Sequence, residues 1–276
     1  MGATNMLKIE LKRAFINRSF LVALIIGIII CLWHFFEYIF PFVIDSSYLR
    51  VEPENTFFPL ISFNCWIGGD FVPVQSYLYF LLLPLIATLP FGSSYVTDKK
   101  TGYIKNIYTR TKKQNYILAK YIAVFLSGAA AVVLPLLINF YLTSLVLPSI
   151  VPDSASYSSV VFSYSKWSNL FYSNPFVFEL LYVLIAFVFS GLIASTALII
   201  SFFVNNKLIV AFAPMILYVF LSSLADISGF QNIDLMRTIN PTQGYGDTAS
   251  VLIYALILFF VTIIPFYFYE VKSDTL

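Results

Sequence analysis

Side chains able to do chemistry are few in this sequence and poorly spaced for it. His34 is the only histidine, Cys31 and Cys65 are the only cysteines, and no Cys-x-x-Cys or His-Glu-x-x-His spacing occurs. A zinc cage is therefore not expected, and the two cysteines give no argument for a disulfide. The phosphate cradle Gly-x-x-x-x-Gly-Lys-Ser/Thr is missing too. The pairs Lys100-Thr101 and Lys272-Ser273 lack glycine at the required distance. The chain is not expected to be an enzyme, and no catalytic, metal-binding or cofactor-binding residue is assigned. Energy for any transport must come from another chain or from an ion gradient.

The remaining polar candidates lie inside or beside apolar runs. His34 and Glu37 stand at i and i+3, a spacing that suits either a pH-sensitive pair or ordinary placement at the membrane interface. Glu37 and Glu179 fall at the ends of apolar segments, and the deepest polar residues are neutral: Ser127, Asn139, Ser190, Ser195 and Thr196. Asn139 is expected to hydrogen-bond between helices rather than to hold a substrate. An ion-coupled carrier normally places ionisable groups at mid-membrane, and the sequence offers none there.

Two basic segments carry more information. Leu7, Leu11, Ala14 and Phe15 share one helical face while Lys8, Lys12 and Arg13 lie elsewhere, which predicts an interfacial amphipathic helix or simply a basic tail. In the stretch 97–115, Tyr103, Ile104, Ile107 and Tyr108 gather on one side of a short helix. That face predicts either a surface that docks a protein or a segment resting on lipid headgroups. Thr111 and Gln114 match a capping box, so a new helix is expected from Lys112.

The elements that position these residues follow from composition. With 59% hydrophobic and 11% charged residues, and a mean hydropathy of +0.85, the chain lies far outside the soluble range, where about a quarter of residues are charged. A span needs about 20 apolar residues. Six stretches qualify: Ser19 to Phe40, Ser76 to Val96, Tyr116 to Leu147, Phe176 to Val204, Leu208 to Ala225 and Ala249 to Tyr269. The first is expected to be a retained helix, not a cleaved signal peptide. Asn205, Asn206 and Lys207 form a tight hairpin between the fourth and fifth. Outer segments such as Ser154 to Ser159 suit loops with short helices. Thirteen of the 16 basic residues fall on one side of this arrangement, and Arg50, Lys166 and Arg237 on the other. Since positive residues stay inside, both termini are expected in the cytoplasm. The fold class is thus all-α, one polytopic membrane domain over residues 1–276, with the N-terminal helix in 1–18 and a cytoplasmic loop at 97–115. A net charge of +2 gives no reason to expect a nucleic-acid partner.

In this order of parts the chain resembles the ABC type-2 transporter permeases, the membrane subunits of ATP-driven exporters. The resemblance rests on an amphipathic helix before the first span, six spans, and an inner loop with an acidic residue (Asp98), a glycine (Gly102), a short helix (Tyr103 to Tyr108) and a lysine just inside the next span (Lys120). Family members commonly carry Glu at the acidic position and a proline before the third span; here Asp98 is shorter and 109–113 holds no proline. What the resemblance implies is a permease coupled to two copies of a cytoplasmic ABC ATPase, which would bind the ATP and Mg. It also implies a second permease chain, identical or related. Asp98, Gly102, Tyr103, Ile104, Ile107, Tyr108 and Arg110 would couple to the ATPase, and Leu7, Leu11 and Phe15 would anchor the first helix in membrane lipid. The expected substrate is an amphipathic or lipophilic peptide, lipid or drug, and the expected location a bacterial plasma membrane. The alternative is an ion-coupled carrier or channel subunit.

Overall fold

The computed structural model describes residues 2–44, 60–70, 72–152, 161–162, 165–229, 234–243 and 248–272. Arg50 and the outer segment 154–159 lie outside the described residues. Within them every regular element is helical. Helix α1 (Ala3–Phe15) ends two residues before α2 (Arg18–His34), whose cap is Asn17; the Asn17 side chain accepts the Phe20 N–H at 2.7 Å. A π-helical turn, Phe35–Ile39, and a last turn, Pro41–Ile44, prolong α2. Then follow α3 (Val74–Thr88), α4 (Ser94–Lys100), α5 (Tyr103–Tyr108), α6 (Lys113–Val146), α7 (Pro175–Phe203), α8 (Lys207–Ile227) and α9 (Thr248–Lys272). Single turns at Ser62–Cys65, Ser168–Ser173 and Leu235–Ile239 lie in the connections.

Five helical segments are long and apolar enough to cross a membrane: Arg18–Ile44, Lys113–Val146, Pro175–Phe203, Lys207–Ile227 and Thr248–Val271. The chain is therefore a multi-pass helical membrane protein by length and composition. The second expected span, Ser76 to Val96, is not one helix. It stops at Thr88, turns through Leu89, Pro90 and Gly92, and resumes as α4. Pro90 has no N–H to continue the ladder. At 15 residues, α3 rises only about 22 Å.

Helix α6 is the spine, packed against α1, α2, α3, α7 and α9. It approaches α7 and α3 closely at Gly128, where a Cβ would lie 2.5 Å from the Ala194 Cβ and 2.6 Å from the Ala87 carbonyl oxygen. Pro135 interrupts the α6 ladder, and the Tyr79 hydroxyl of α3 donates to the Val132 carbonyl in the preceding turn at 2.5 Å. Helices α2, α8 and α9 leave most of their surface uncovered by the rest of the chain. The hairpin between α7 and α8 forms as expected, with the Asn206 side chain accepting the Leu208 N–H at 2.9 Å. The capping box does not. Lys112 caps α6 without a side-chain bond, and Thr111 Oγ1 accepts from Asn115 Nδ2 at 3.2 Å instead.

Candidate functional site

One end of the bundle gathers α1, the loop of α4 and α5, the start of α6 and the end of α9. Along α1 the fully buried stripe is Met6, Glu10 and Ala14, spaced i, i+4, i+8, so an acidic residue falls on the face pressed to α6. Leu7, Leu11 and Phe15 are half-buried and pack on the same core. They meet the protein's own core, where an interfacial anchor would turn them wholly to lipid. The reason is Glu10: its carboxylate needs cationic partners, which the bundle supplies and lipid tails do not.

Those partners form a four-charge cluster. The Glu10, Asp98 and Lys120 side chains are 0%, 1% and 0% exposed. Lys120 Nζ donates to Asp98 Oδ2 at 2.6 Å and to Glu10 Oε2 at 3.2 Å. Arg13 Nη1 donates to Glu10 Oε1 at 2.6 Å, and its other terminal nitrogen closes on Asp98 Oδ1. The hydroxyl of Tyr116 donates to Asp98 Oδ2 at 2.9 Å and that of Tyr103 to Glu10 Oε1 at 3.2 Å. Two rings cover the cations: Tyr103 lies 4.1 Å from the Arg13 guanidinium and Phe91 4.1 Å from Lys120 Nζ. Charges alternate and sum to zero, the condition under which burial of ions is tolerable.

The electrostatics follow from that arrangement. Burial pushes the Asp98 carboxyl upward, but the Lys120 charge and the hydrogen bonds from Arg13 and Lys120 outweigh it and hold Asp98 below its ordinary 3.8. Burial together with the Glu10 carboxylate raises the Tyr103 phenol to about 12. Beside the cluster, the hydroxyls of Tyr95 and Tyr108 both bond the buried Glu270 carboxylate near the end of α9. The first helix, the α4–α5 loop and the last helix are thereby tied at one end of the molecule.

The expected loop residues divide into two groups. Asp98 and Tyr103 belong to the cluster, and Tyr108 to the Glu270 contact. Gly102 makes the turn from α4 to α5 with φ +71°, a left-handed conformation costly for other residues. Ile104 and Ile107 are buried in the chain's own core, so the α5 apolar side has an intramolecular partner. The face left outward is polar, with Lys105, Asn106, Thr109 and Arg110 exposed. Arg110 takes no part in the cluster.

Glu10, Arg13, Tyr116 and Glu270 were not singled out by sequence reasoning. A usable signal existed: Glu10 shares the i, i+4, i+8 row of Met6 and Ala14, and Lys120 stands alone in an apolar helix.

A second polar group occupies the opposite end of the bundle. Asn139 Oδ1 accepts the Ile67 N–H at 2.9 Å, and its Nδ2 donates to the Cys31 carbonyl at 3.1 Å and approaches His34 Nδ1 at 3.2 Å. This is the interhelical role expected of Asn139. His34 stacks on Tyr38 and does not pair with Glu37, which accepts from Gln75 Nε2 at 2.6 Å. The π turn inserts an extra residue per turn and removes the i, i+3 register the pair would need. Glu179, expected at the periphery, is 2% exposed, and neither carboxylate oxygen meets hydrogen-bond geometry with a partner; the neighbouring Trp66 Nε1 also falls short of it. Among the described residues no group of three or more His, Cys, Asp or Glu is placed to hold a metal.

Comparison of the chain with protein-family models, with curated proteins and with solved structures gives no match.

Proposed function

We propose that this chain is the membrane-spanning permease subunit of an ATP-driven exporter, working with a second permease chain and two cytoplasmic ATPase subunits. The observation that carries the reading is the buried charge cluster, which joins α1, α4 and α6 through ion pairs and hydrogen bonds. A force applied to the short α5 helix passes through rigid contacts into α6, the helix that touches most of the bundle. A coupling device needs such a link between a surface loop and the spans. In this reading α3 and α4 together make the sixth crossing, bent at Pro90, and the bundle end that holds the cluster faces the cytoplasm. The thirteen basic residues predicted inside support that side. The ATPase meets the outward polar face of α5, since Ile104 and Ile107 are already covered.

The test is purification of the tagged chain from its native membranes. An ATP-hydrolysing subunit should accompany it in equal amount, and Lys105→Glu with Arg110→Glu should remove that subunit while leaving the permease folded. Absence of any ATPase with the wild-type chain sinks the proposal. One observation favours the other reading, an ion-coupled carrier: Glu179 is a buried carboxyl without a hydrogen-bond partner. Loss of ATP-driven transport in Glu179→Gln at normal folding would support it.

A further inference from the structure

Between α6, α7 and α9 the surface carries an apolar groove of about 640 Å³, walled by residues that include Leu118, Ile122, Phe125, Val188, Leu256 and Phe259. Its wall offers a ligand no hydrogen bond, because the one hydroxyl among the lining side chains, that of Tyr121, is paired with Thr262 at 2.7 Å. Along α9 the groove runs from Leu252 to Ile263, a rise of about 16 Å, or half of a hydrocarbon core of about 30 Å. It is one leaflet deep.

A second hollow of about 270 Å³ lies between α1 and α6, and the two share Leu118 and Ile122 as wall residues. This hollow is lined by Thr4 and Asn115 beside Ala3, Leu7 and Ala119, so polarity rises at the end where the charge cluster lies. Two exposed lysines stand close by in the chain: Lys8, four residues along α1 from Thr4, and Lys112, whose carbonyl accepts the Asn115 N–H at 3.0 Å. An apolar trough one leaflet long, adjoining a hydrogen-bonding hollow with lysines close by, matches one ligand class in both size and charge.

We propose that this continuous groove binds an anionic glycerophospholipid, with an acyl chain between α6, α7 and α9 and the phosphate at Thr4, Asn115, Lys8 and Lys112. The site lies apart from the outward face of α5 and does not depend on the exporter reading. Occupancy would brace α1 against α6 beside the buried cluster.

The test uses lipid-stripped protein in detergent titrated with dioleoyl phosphatidylglycerol or dioleoyl phosphatidylcholine, with bound lipid counted by native mass spectrometry. Wild type should hold the glycerol lipid more tightly than the choline lipid. Ala255→Phe and Leu256→Tyr, which fill the groove from α9, should each weaken phosphatidylglycerol binding at least tenfold while keeping helical content and a single elution peak; two variants guard against one failing to fold. Lys8→Gln with Lys112→Gln should reduce the preference by about fivefold per lysine and leave phosphatidylcholine binding unchanged. Equal affinity for the two lipids in wild type overturns the proposal. So does unchanged phosphatidylglycerol binding in the folded groove-filling variants. If those variants instead turn a dimer into a monomer with lipid binding unaltered, a second copy covers the groove and the proposal is wrong.

Discussion

Lys120→Met tests whether the charge cluster holds its end of the bundle together. The substitution keeps the length and apolar stem of the side chain but removes the cluster's wholly buried cation, Arg13 being 30% exposed. Glu10 and Asp98 are then left sharing Arg13, so the cluster carries one uncompensated negative charge in a site almost closed to water. Removing one member of a buried ion pair typically costs about 3–5 kcal/mol, and the Phe91 contact to the ammonium is lost as well. The double variant Glu10→Gln, Lys120→Met restores neutrality around the Arg13 to Asp98 pair and should recover more than half of that loss. Cys31 supplies the assay, because it is buried at the α2 to α6 contact, where its thiol donates to the Pro135 carbonyl at 3.3 Å. In a Cys65→Ser background, a thiol-reactive dye then reports opening of the bundle as temperature rises. If Lys120→Met unfolds with wild type, or the double variant is no better than the single, the cluster is not what ties α1 to the spans.

Two further outcomes follow from geometry. Gly128→Val puts a branched side chain where a bare Cβ already collides with Ala194 and the Ala87 backbone; overpacking costs about 1–3 kcal/mol, and the yield of folded protein should fall, whereas Ser127→Ala one residue earlier should be mild. The acid response should be late: a carboxylate held below its ordinary 3.8 contributes stability that is complete above that value and is lost as pH falls through the lowered one. Thermal unfolding should therefore be insensitive to Asp98 between pH 7 and 4 and weaken below, with a smaller decline in Asp98→Asn; a decline between pH 6 and 5 that Asp98→Asn abolishes would contradict this.

The spans were legible because twenty apolar residues leave the backbone almost no alternative to a helix in lipid. Asn206 was legible as a turn residue for an equally local reason. The break at Pro90 lies inside a stretch apolar enough to span, so hydropathy does not show it; the missing N–H of that proline does. Periodicity grouped Ile104 and Ile107 on one face, but it tells which residues share a face and not what covers it. The cluster was hardest to see. Its members come from α1, α4 and α6, with Arg13 and Asp98 85 residues apart, and no local pattern joins them. His34 and Glu37 show the converse, where a local spacing was present and one π turn cancelled it.

That Glu10, Arg13, Asp98 and Lys120 balance two against two has an electrical consequence. A charge moved through a membrane potential does work of about 2.3 kcal/mol per 100 mV, so an unbalanced module at the bundle end would be pulled by the resting voltage at every stroke. This one presents no net charge to the field. If these four side chains shift together, the cluster itself adds no electrical work, and any voltage dependence of the movement comes from charges outside it, such as the exposed Lys8, Lys12, Lys99 and Lys100. Within the cluster, only a movement that parts the cations from the carboxylates would feel the potential.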